Sequence, residues 1–386
     1  MVAVTVQRRR EPRQTRAASA YRKLEGLLAA ADIRLGGSRP WDIVIHDARM
    51  AWRILTHGSL GAGESYMNGW WDCERVDEML ARVLNAQLDS QLGMVHEILA
   101  RLLARLRNAQ SRRRAFEVGE QHYDVGDDLY AGMLDPRMIY SCGYWKHASD
   151  LATAQEHKLD LVCRKLGLKP GMRVLDVGCG WGGAARFAAE RYGVSVTGIT
   201  ISRNQAAAAR EYCRGFAVDV LLQDYRDLAG SFDRIFSIGM FEHVGVKNYR
   251  RYFRTLRELL APGGLFLLHT IGSNHSTNTT DPWIQKYIFP NSMLPSMAQI
   301  AGAVESAWVI EDWHSFGTDY DRTLMAWFAN FNACWPNIAA RYSERFRRMW
   351  HYYLTASAAS FRTRNNQLWQ VLMSPGGVAG GCPEIR

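Results

Sequence analysis

The chain has 386 residues, 47% of them hydrophobic and 22% charged, with a formal charge of +9 at pH 7. That length exceeds what one hydrophobic core usually serves and the composition is that of a folded protein, so two domains are expected, each burying its own interior. No window approaches ~20 uninterrupted apolar residues, which excludes a membrane-spanning helix, and the seven scattered cysteines lack CxxC or Cys/His metal spacing, which points to reduced, cytoplasmic thiols and no metal.

The first stretch, "MVAVTVQRRREPRQTRAASAYRK", carries seven basic residues against one Glu and no apolar stretch fit for a signal peptide. Residues 1–20 are expected to be a solvated, disordered tail, with an affinity for anionic partners, either lipid headgroups or nucleic acid. Residues 21–115 read as a mainly helical domain broken by the Gly-rich "THGSLGAGESYMNGWW". Its last segment, "LGMVHEILARLLARLRNAQSRRRAF", sets Met94, Val95, Ile98, Leu99, Leu102, Leu103 and Leu106 on one helical face opposite a basic one. Such a helix fits an anionic membrane surface, or equally a packed helix with a solvated polar face.

A second domain is expected over residues 116–373, and from residue 171 onward the period changes. Short apolar runs ("RVLDV", "VSVTGI", "VDVLL", "RIFSI", "LFLLHT") alternate with helical segments such as "GGAARFAAERY" and "NYRRYFRTLRELL". Strand and helix in alternation predict an α/β fold with an open, mostly parallel sheet, whose ligands sit beyond the carboxyl ends of the strands. A polar loop follows "LFLLHT", and the Gly-rich end, residues 374–386, is expected to be flexible.

The stretch "VLDVGCGWGG" sets Gly178, Gly180 and Gly183 in G-x-G-x-x-G spacing, a turn that lets a ligand approach the backbone beneath a helix N-terminus. A dinucleotide site would place an acid some 20 residues on. Thr200 stands there instead, and no acid occurs between Arg191 and Arg210. That weakens the dinucleotide reading but does not by itself choose S-adenosylmethionine (SAM).

The company of the loop goes further. "HYDVGDDLY", "YSCGYW", "LDVGCGWGG", "GITISRNQ", "LLQDYRDL", "FDRIFSIGMFEHVG" and "LFLLHTIG", in that order, closely resemble the cyclopropane-fatty-acid synthase family of SAM-dependent methyltransferases, which includes the mycolic acid cyclopropane synthases. The likeness runs over roughly residues 25–373, and "GSLGAGESYMNGWW" looks like the phospholipid-acting members. It implies a class I methyltransferase domain, Rossmann-like, behind a smaller helical lipid-binding domain. It also implies that SAM is held by Tyr140, Ser141, the loop Gly178, Cys179, Gly180, Trp181, Gly182 and Gly183, by Thr200 and Gln205 in place of the ribose acid, and by Asp224 and Tyr225. Asp176 either braces the loop or touches the ligand.

The reaction so implied adds a methylene group to the cis double bond of an acyl chain in a membrane phospholipid. Methyl transfer to an alkene requires close, in-line contact in a water-free site and leaves a carbocation, which aromatic faces can stabilise without attacking it. Tyr320 is the expected stabiliser, with Phe316, Trp313, Tyr144 and Trp145 as walls. Ring closure then needs a base. In the family this is bicarbonate, and the matching groups are Cys142, Glu242, His269, the backbone of Ile271, and Tyr320. Glu242 is expected to accept a hydrogen bond from the bicarbonate hydroxyl. Where some members carry a C-terminal cysteine this chain has Ser357, so a thiol there is not required. The resemblance further implies a homodimer working at the inner face of the cell membrane, without nucleic acid. Other fates of the cation, a methyl branch or a hydroxyl, are the alternatives within the class, and a non-catalytic basic membrane-binding protein is the alternative outside it.

Overall fold

The computed structural model describes residues 12–88 and 126–386. The predicted basic helix over residues 92–116 lies outside the described residues. Among the described residues no helix is long and apolar enough to cross a membrane.

The N-terminal part is α1 (Pro12–Ala29), β1 (Val44–Ile45), α2 (Arg49–Met67), β2 (Trp71–Asp72) and α3 (Val76–Asn85), with β1 and β2 paired antiparallel. Helix α1 begins inside the tail expected to be disordered, with Pro12 at its first position, where the missing N–H costs nothing. Leu24 and Leu28, one turn apart, anchor it. The Gly-rich stretch read as an interruption is helix: α2 runs through it with one kink, at Gly58 (φ 54°). The other glycines there serve close packing. A Cβ on Gly63 would lie 2.3 Å from the Trp283 ring, and one on Gly61 would lie 2.2 Å from the Arg53 carbonyl.

The catalytic part follows as α4 (Asp127–Met133), α5 (Leu151–Lys165), β3 (Arg173–Val177), α6 (Gly183–Tyr192), β4 (Ser195–Thr200), α7 (Arg203–Tyr212), β5 (Val218–Leu222), β6 (Phe232–Ile238), α8 (Tyr249–Leu259), β7 (Leu260–Ser273), α9 (Pro282–Tyr287), α10 (Met297–Val304), β8 (Val309–Ser315), α11 (Thr318–Ile338), α12 (Glu344–Arg362) and β9 (Asn366–Ser374). The seven strands form one sheet in the order β5-β4-β3-β6-β7-β9-β8, parallel from β5 to β7, with β9 antiparallel to both its neighbours. Residues 264–270 of β7 are buried without a break, as a strand covered on both faces must be. Helix α8 shows the complementary pattern: Tyr249, Tyr252, Phe253, Leu256 and Leu259 face inward, while Arg250, Arg251, Arg254 and Arg257 are exposed. Side-chain caps fix several helix starts, Asp150 accepting from the Thr153 amide at 2.9 Å and Ser296 forming a capping box with Gln299.

Among the described residues, the N-terminal helices share their interior with the catalytic part. Tyr66, Trp71, Met79 and Leu88 belong to the same apolar cluster as Trp283, Trp350, Tyr352 and Phe361 of the catalytic part. Arg362 of α12 ties the two parts together, binding Asp77 of α3 at 2.8 Å and Asp321 of α11 at 2.9 Å. The expectation of two self-contained cores is corrected on this point, because the bulky aromatic faces of α11 and α12 need a cover that α2 and α3 supply.

The chain end expected to be flexible is also held. Arg386 pairs with Asp312 of β8 at 2.7 Å, and the Val378 amide donates to Glu311 at 2.9 Å. Asp312 is also the counter-ion of Lys165, at 2.9 Å, whose buried ammonium is pushed down to about 8 by desolvation. Asp312→Asn leaves that charge buried without its carboxylate and is expected to cost about 3 kcal/mol. Equilibrium denaturation checks this, and an unchanged midpoint would show that the tie contributes nothing.

Candidate active site

Strand β3 ends in the glycine loop, which turns sharply because Gly178 (φ 91°), Gly180 (φ 55°) and Gly182 (φ 84°) take left-handed conformations that side chains resist. The amides of Gly178 and Cys179 donate to the Ile199 carbonyl of β4 at 3.0 and 2.9 Å, pinning the loop over the carboxyl end of the sheet. Gly183 opens α6, and a Cβ there would fall 2.1 Å from the Arg137 carbonyl and 2.6 Å from Ile139 Cδ1. Gly183→Ala must therefore push this segment away from the loop. S-adenosylhomocysteine affinity is expected to fall about tenfold or more, by overpacking. Calorimetric titration measures it, and wild-type affinity would refute the close fit.

One cleft opens at this point, with a volume of about 190 Å³, and every residue predicted to hold SAM lines it except Gly182. Thr200 ends β4 and its hydroxyl donates to Gln205 Oε1 at 3.0 Å, so the two side chains expected to replace a ribose acid orient each other. Asp224 follows β5, accepts from the Arg226 amide at 2.9 Å and pairs with the Arg226 guanidinium at 3.0 Å. The Tyr140 hydroxyl meets that of Tyr353 at 2.8 Å. Asp176 is buried, its Oδ2 has no hydrogen-bond partner, and burial pushes its carboxyl up to about 8, against the pull of Lys158. An orphaned acid beside a left-handed glycine loop and a helix N-terminus fits the amino-acid end of SAM.

The sequence reading missed several residues lining the cleft, among them Lys158, Met240, His243, Pro290 and Asn291. Lys158 sits in "AQEHKLDL", a run that reads as solvent-facing. The one hint is its spacing of three from Gln155, since both are fully buried on one face of α5.

The groups expected to hold the base lie one step deeper, and none of the five lines the cleft. Cys142 follows the cleft residue Ser141, and Glu242 lies between Met240 and His243. Glu242 Oε1 accepts from the Ile271 amide at 2.7 Å. That amide serves the buried carboxylate, which needs a donor when dry. Glu242 Oε2 and His269 Nε2 are buried without a partner. Burial pushes Glu242 up to about 7 and His269 well below its ordinary range, leaving a neutral imidazole. The Gln370 amide nitrogen lies 3.4 Å from Nδ1, a placement in which the imidazole proton sits on Nε2.

Cys142 and Tyr320 are brought in by α11. The Thr323 hydroxyl accepts from the Gly143 amide at 3.0 Å and from Trp145 Nε1 at 2.8 Å, and lies 3.9 Å from the Cys142 sulfur. Tyr320, three residues earlier, packs on Phe361 (4.5 Å between centroids) and Trp327 (6.0 Å). Phe316 links the two halves, touching Tyr144 at 5.2 Å and His269 at 5.9 Å. Trp313 is not part of this wall; its ring packs on Trp369.

A seven-stranded sheet with one reversed strand, carrying a glycine-loop cleft at its carboxyl edge, defines a class I SAM-dependent methyltransferase. The match to mycolic acid cyclopropane synthetase covers residues 110–371, and the chain belongs to that family of enzymes. It is 56% identical over 357 residues to the cyclopropane-fatty-acyl-phospholipid synthase of Escherichia coli, spanning 92% of this chain and 94% of that one. Among solved structures it resembles the cyclopropane synthase MmaA2 from Mycobacterium tuberculosis (32% identity, TM-score 0.63, 67% of this chain and 97% of that one). It is equally similar to the mycolic acid cyclopropane synthase CmaA1 complexed with SAH and CTAB (34% identity, TM-score 0.63, the same coverage).

Proposed function

We propose that this protein transfers a methylene group from SAM to the cis double bond of unsaturated acyl chains in membrane phospholipids, forming cyclopropane fatty acids through a carbocation deprotonated with the help of bound bicarbonate. The similarity to the Escherichia coli phospholipid enzyme over nearly the whole of both chains supports the substrate class. The observation that carries the reading is the pair of buried, unmatched polar atoms, Glu242 Oε2 and His269 Nε2, beside the SAM cleft. A dry site that presents one acceptor and one donor suits an occupant with a hydroxyl and an oxyanion, as bicarbonate has.

SAM supplies the one-carbon unit, and bicarbonate supplies the oxygen that takes the proton. In this reading Glu242 accepts the bicarbonate hydroxyl and His269 Nε2 donates to its oxyanion. Cys142 and the Tyr320 hydroxyl bound the same space, and the Tyr320 ring faces the developing cation. Tyr144 and Phe316 exclude water that would trap it as an alcohol.

The enzyme works as a peripheral protein at the inner face of the cell membrane and as a homodimer, and its basic N-terminal part meets the anionic lipid. The test is incubation of purified protein with SAM and vesicles of unsaturated phospholipid. The acyl chain is expected to gain the mass of one methylene and lose its alkene signal. Lipid unchanged by protein that binds SAM would overturn the reading.

A further inference from the structure

We infer that Lys158 is a cofactor-binding residue whose buried ammonium receives the carboxylate at the amino-acid end of SAM. This rests on the cofactor reading above and assigns a residue to it.

Lys158 is fully buried in α5 and lines the cleft beside Ser141, Asp176 and Gly178. Its Nζ donates to the Ser141 hydroxyl at 2.9 Å, and among the described residues this is its single hydrogen bond. An ammonium has three donors, and leaving it buried with one neutral acceptor is costly. Among the described residues no carboxylate forms an ion pair with it, although the charges of Asp135 and Asp176 are felt there. Asp135 spends its oxygens on the amides of Arg137 and Ile139, each at 2.9 Å, and Asp176 forms no ion pair with Lys158. Burial pushes the amine down to about 8, as expected for a cation awaiting a counter-ion. The space beside it is the cleft, and the charges around that space suit a zwitterion: an amine for a carboxylate, and the partnerless Asp176 Oδ2 for an ammonium.

The experiment is calorimetric titration of the full chain with S-adenosylhomocysteine and with its decarboxylated analogue. Wild type is expected to prefer the carboxylate-bearing ligand by about tenfold or more, the worth of one charge-assisted contact. In Lys158→Met that preference should collapse, chiefly through weaker S-adenosylhomocysteine binding. A preference kept intact in the variant overturns the assignment. A second readout is proton uptake. Near pH 8 the carboxylate should draw a proton onto Lys158, so S-adenosylhomocysteine takes up more protons than the analogue, seen in buffers of different ionisation enthalpy. The amine of S-adenosylhomocysteine is the more acidic of the two and Asp176 also faces the ligand, so the excess is read as the part that Lys158→Met abolishes. Equal uptake in wild type and variant overturns the assignment. Wild type binding both ligands equally removes Lys158 and leaves the cofactor reading standing, whereas binding of neither removes both.

Discussion

Glu242→Gln is expected to lower the rate of cyclopropane formation by about 10²- to 10⁴-fold, the usual worth of a group that assists proton transfer. S-adenosylhomocysteine binding should be untouched, because Glu242 does not line the cleft. The amide keeps an oxygen for the Ile271 N–H, so the local fold survives, but it loses the carboxylate at the position of Oε2. Burial sets the sign of the pH dependence. It disfavours the charged form and raises Glu242 to about 7, so the acid form dominates below that pH. If the ionised form accepts the bicarbonate hydroxyl, kcat/KM of the wild type falls as pH drops through about 7. The residual activity of the variant should lack that limb. A wild-type profile flat across neutrality, or a fully active Glu242→Gln, would sink the assigned role.

Trp283→Ala should produce the largest loss of stability, about 3–5 kcal/mol for a deleted buried indole. Trp283 is 1% exposed and wedged between Gly63, the Met67 sulfur (3.3 Å from Nε1) and the Tyr352 ring (4.8 Å). It holds α9 to α2, together with Glu64, which receives Lys286 at 2.7 Å and the Tyr287 hydroxyl at 2.9 Å. The chain leaving α9 carries Pro290 and Asn291 into the cleft wall, and its Met293 amide donates to the Glu242 carbonyl at 2.8 Å. Loosening α9 should therefore weaken S-adenosylhomocysteine binding as well as lower the denaturation midpoint. Gly63→Ala, which drives a methyl group into the same indole, should do both more mildly, at about 1–3 kcal/mol. A Trp283→Ala protein with wild-type stability would contradict the packing described.

The sheet and the glycine loop were readable because their signals are local. Residues 264–270 are apolar enough to announce a buried strand, and Gly178 and Gly180 sit where only left-handed backbone makes the turn. The α2 glycines misled because their reason lies far away in sequence: Gly63 is small for the sake of Trp283, and no periodicity contains that fact. Lys158 was hidden for a related reason, since a lysine in a helix reads as solvent-facing unless the burial of its neighbours is known. The C-terminal stretch looked flexible from its glycines, whereas Glu311 and Asp312 of β8 decide its course. The bond from the Ile271 amide to Glu242 has no local signal either, because the need of that carboxylate for a donor appears only once it is buried.

Arg362, gripping Asp77 and Asp321 at once, has a consequence for anyone who would cut this enzyme down. The methyltransferase half is not a portable cassette: severed from α2 and α3 it would bare Tyr352 and Trp283 to water and leave Arg362 with Asp321 alone. The mycolic acid cyclopropane synthase CmaA1 aligns with 67% of this chain over 97% of its own. Grafts between the long and short members should therefore exchange the faces of α11 and α12 along with whatever covers them.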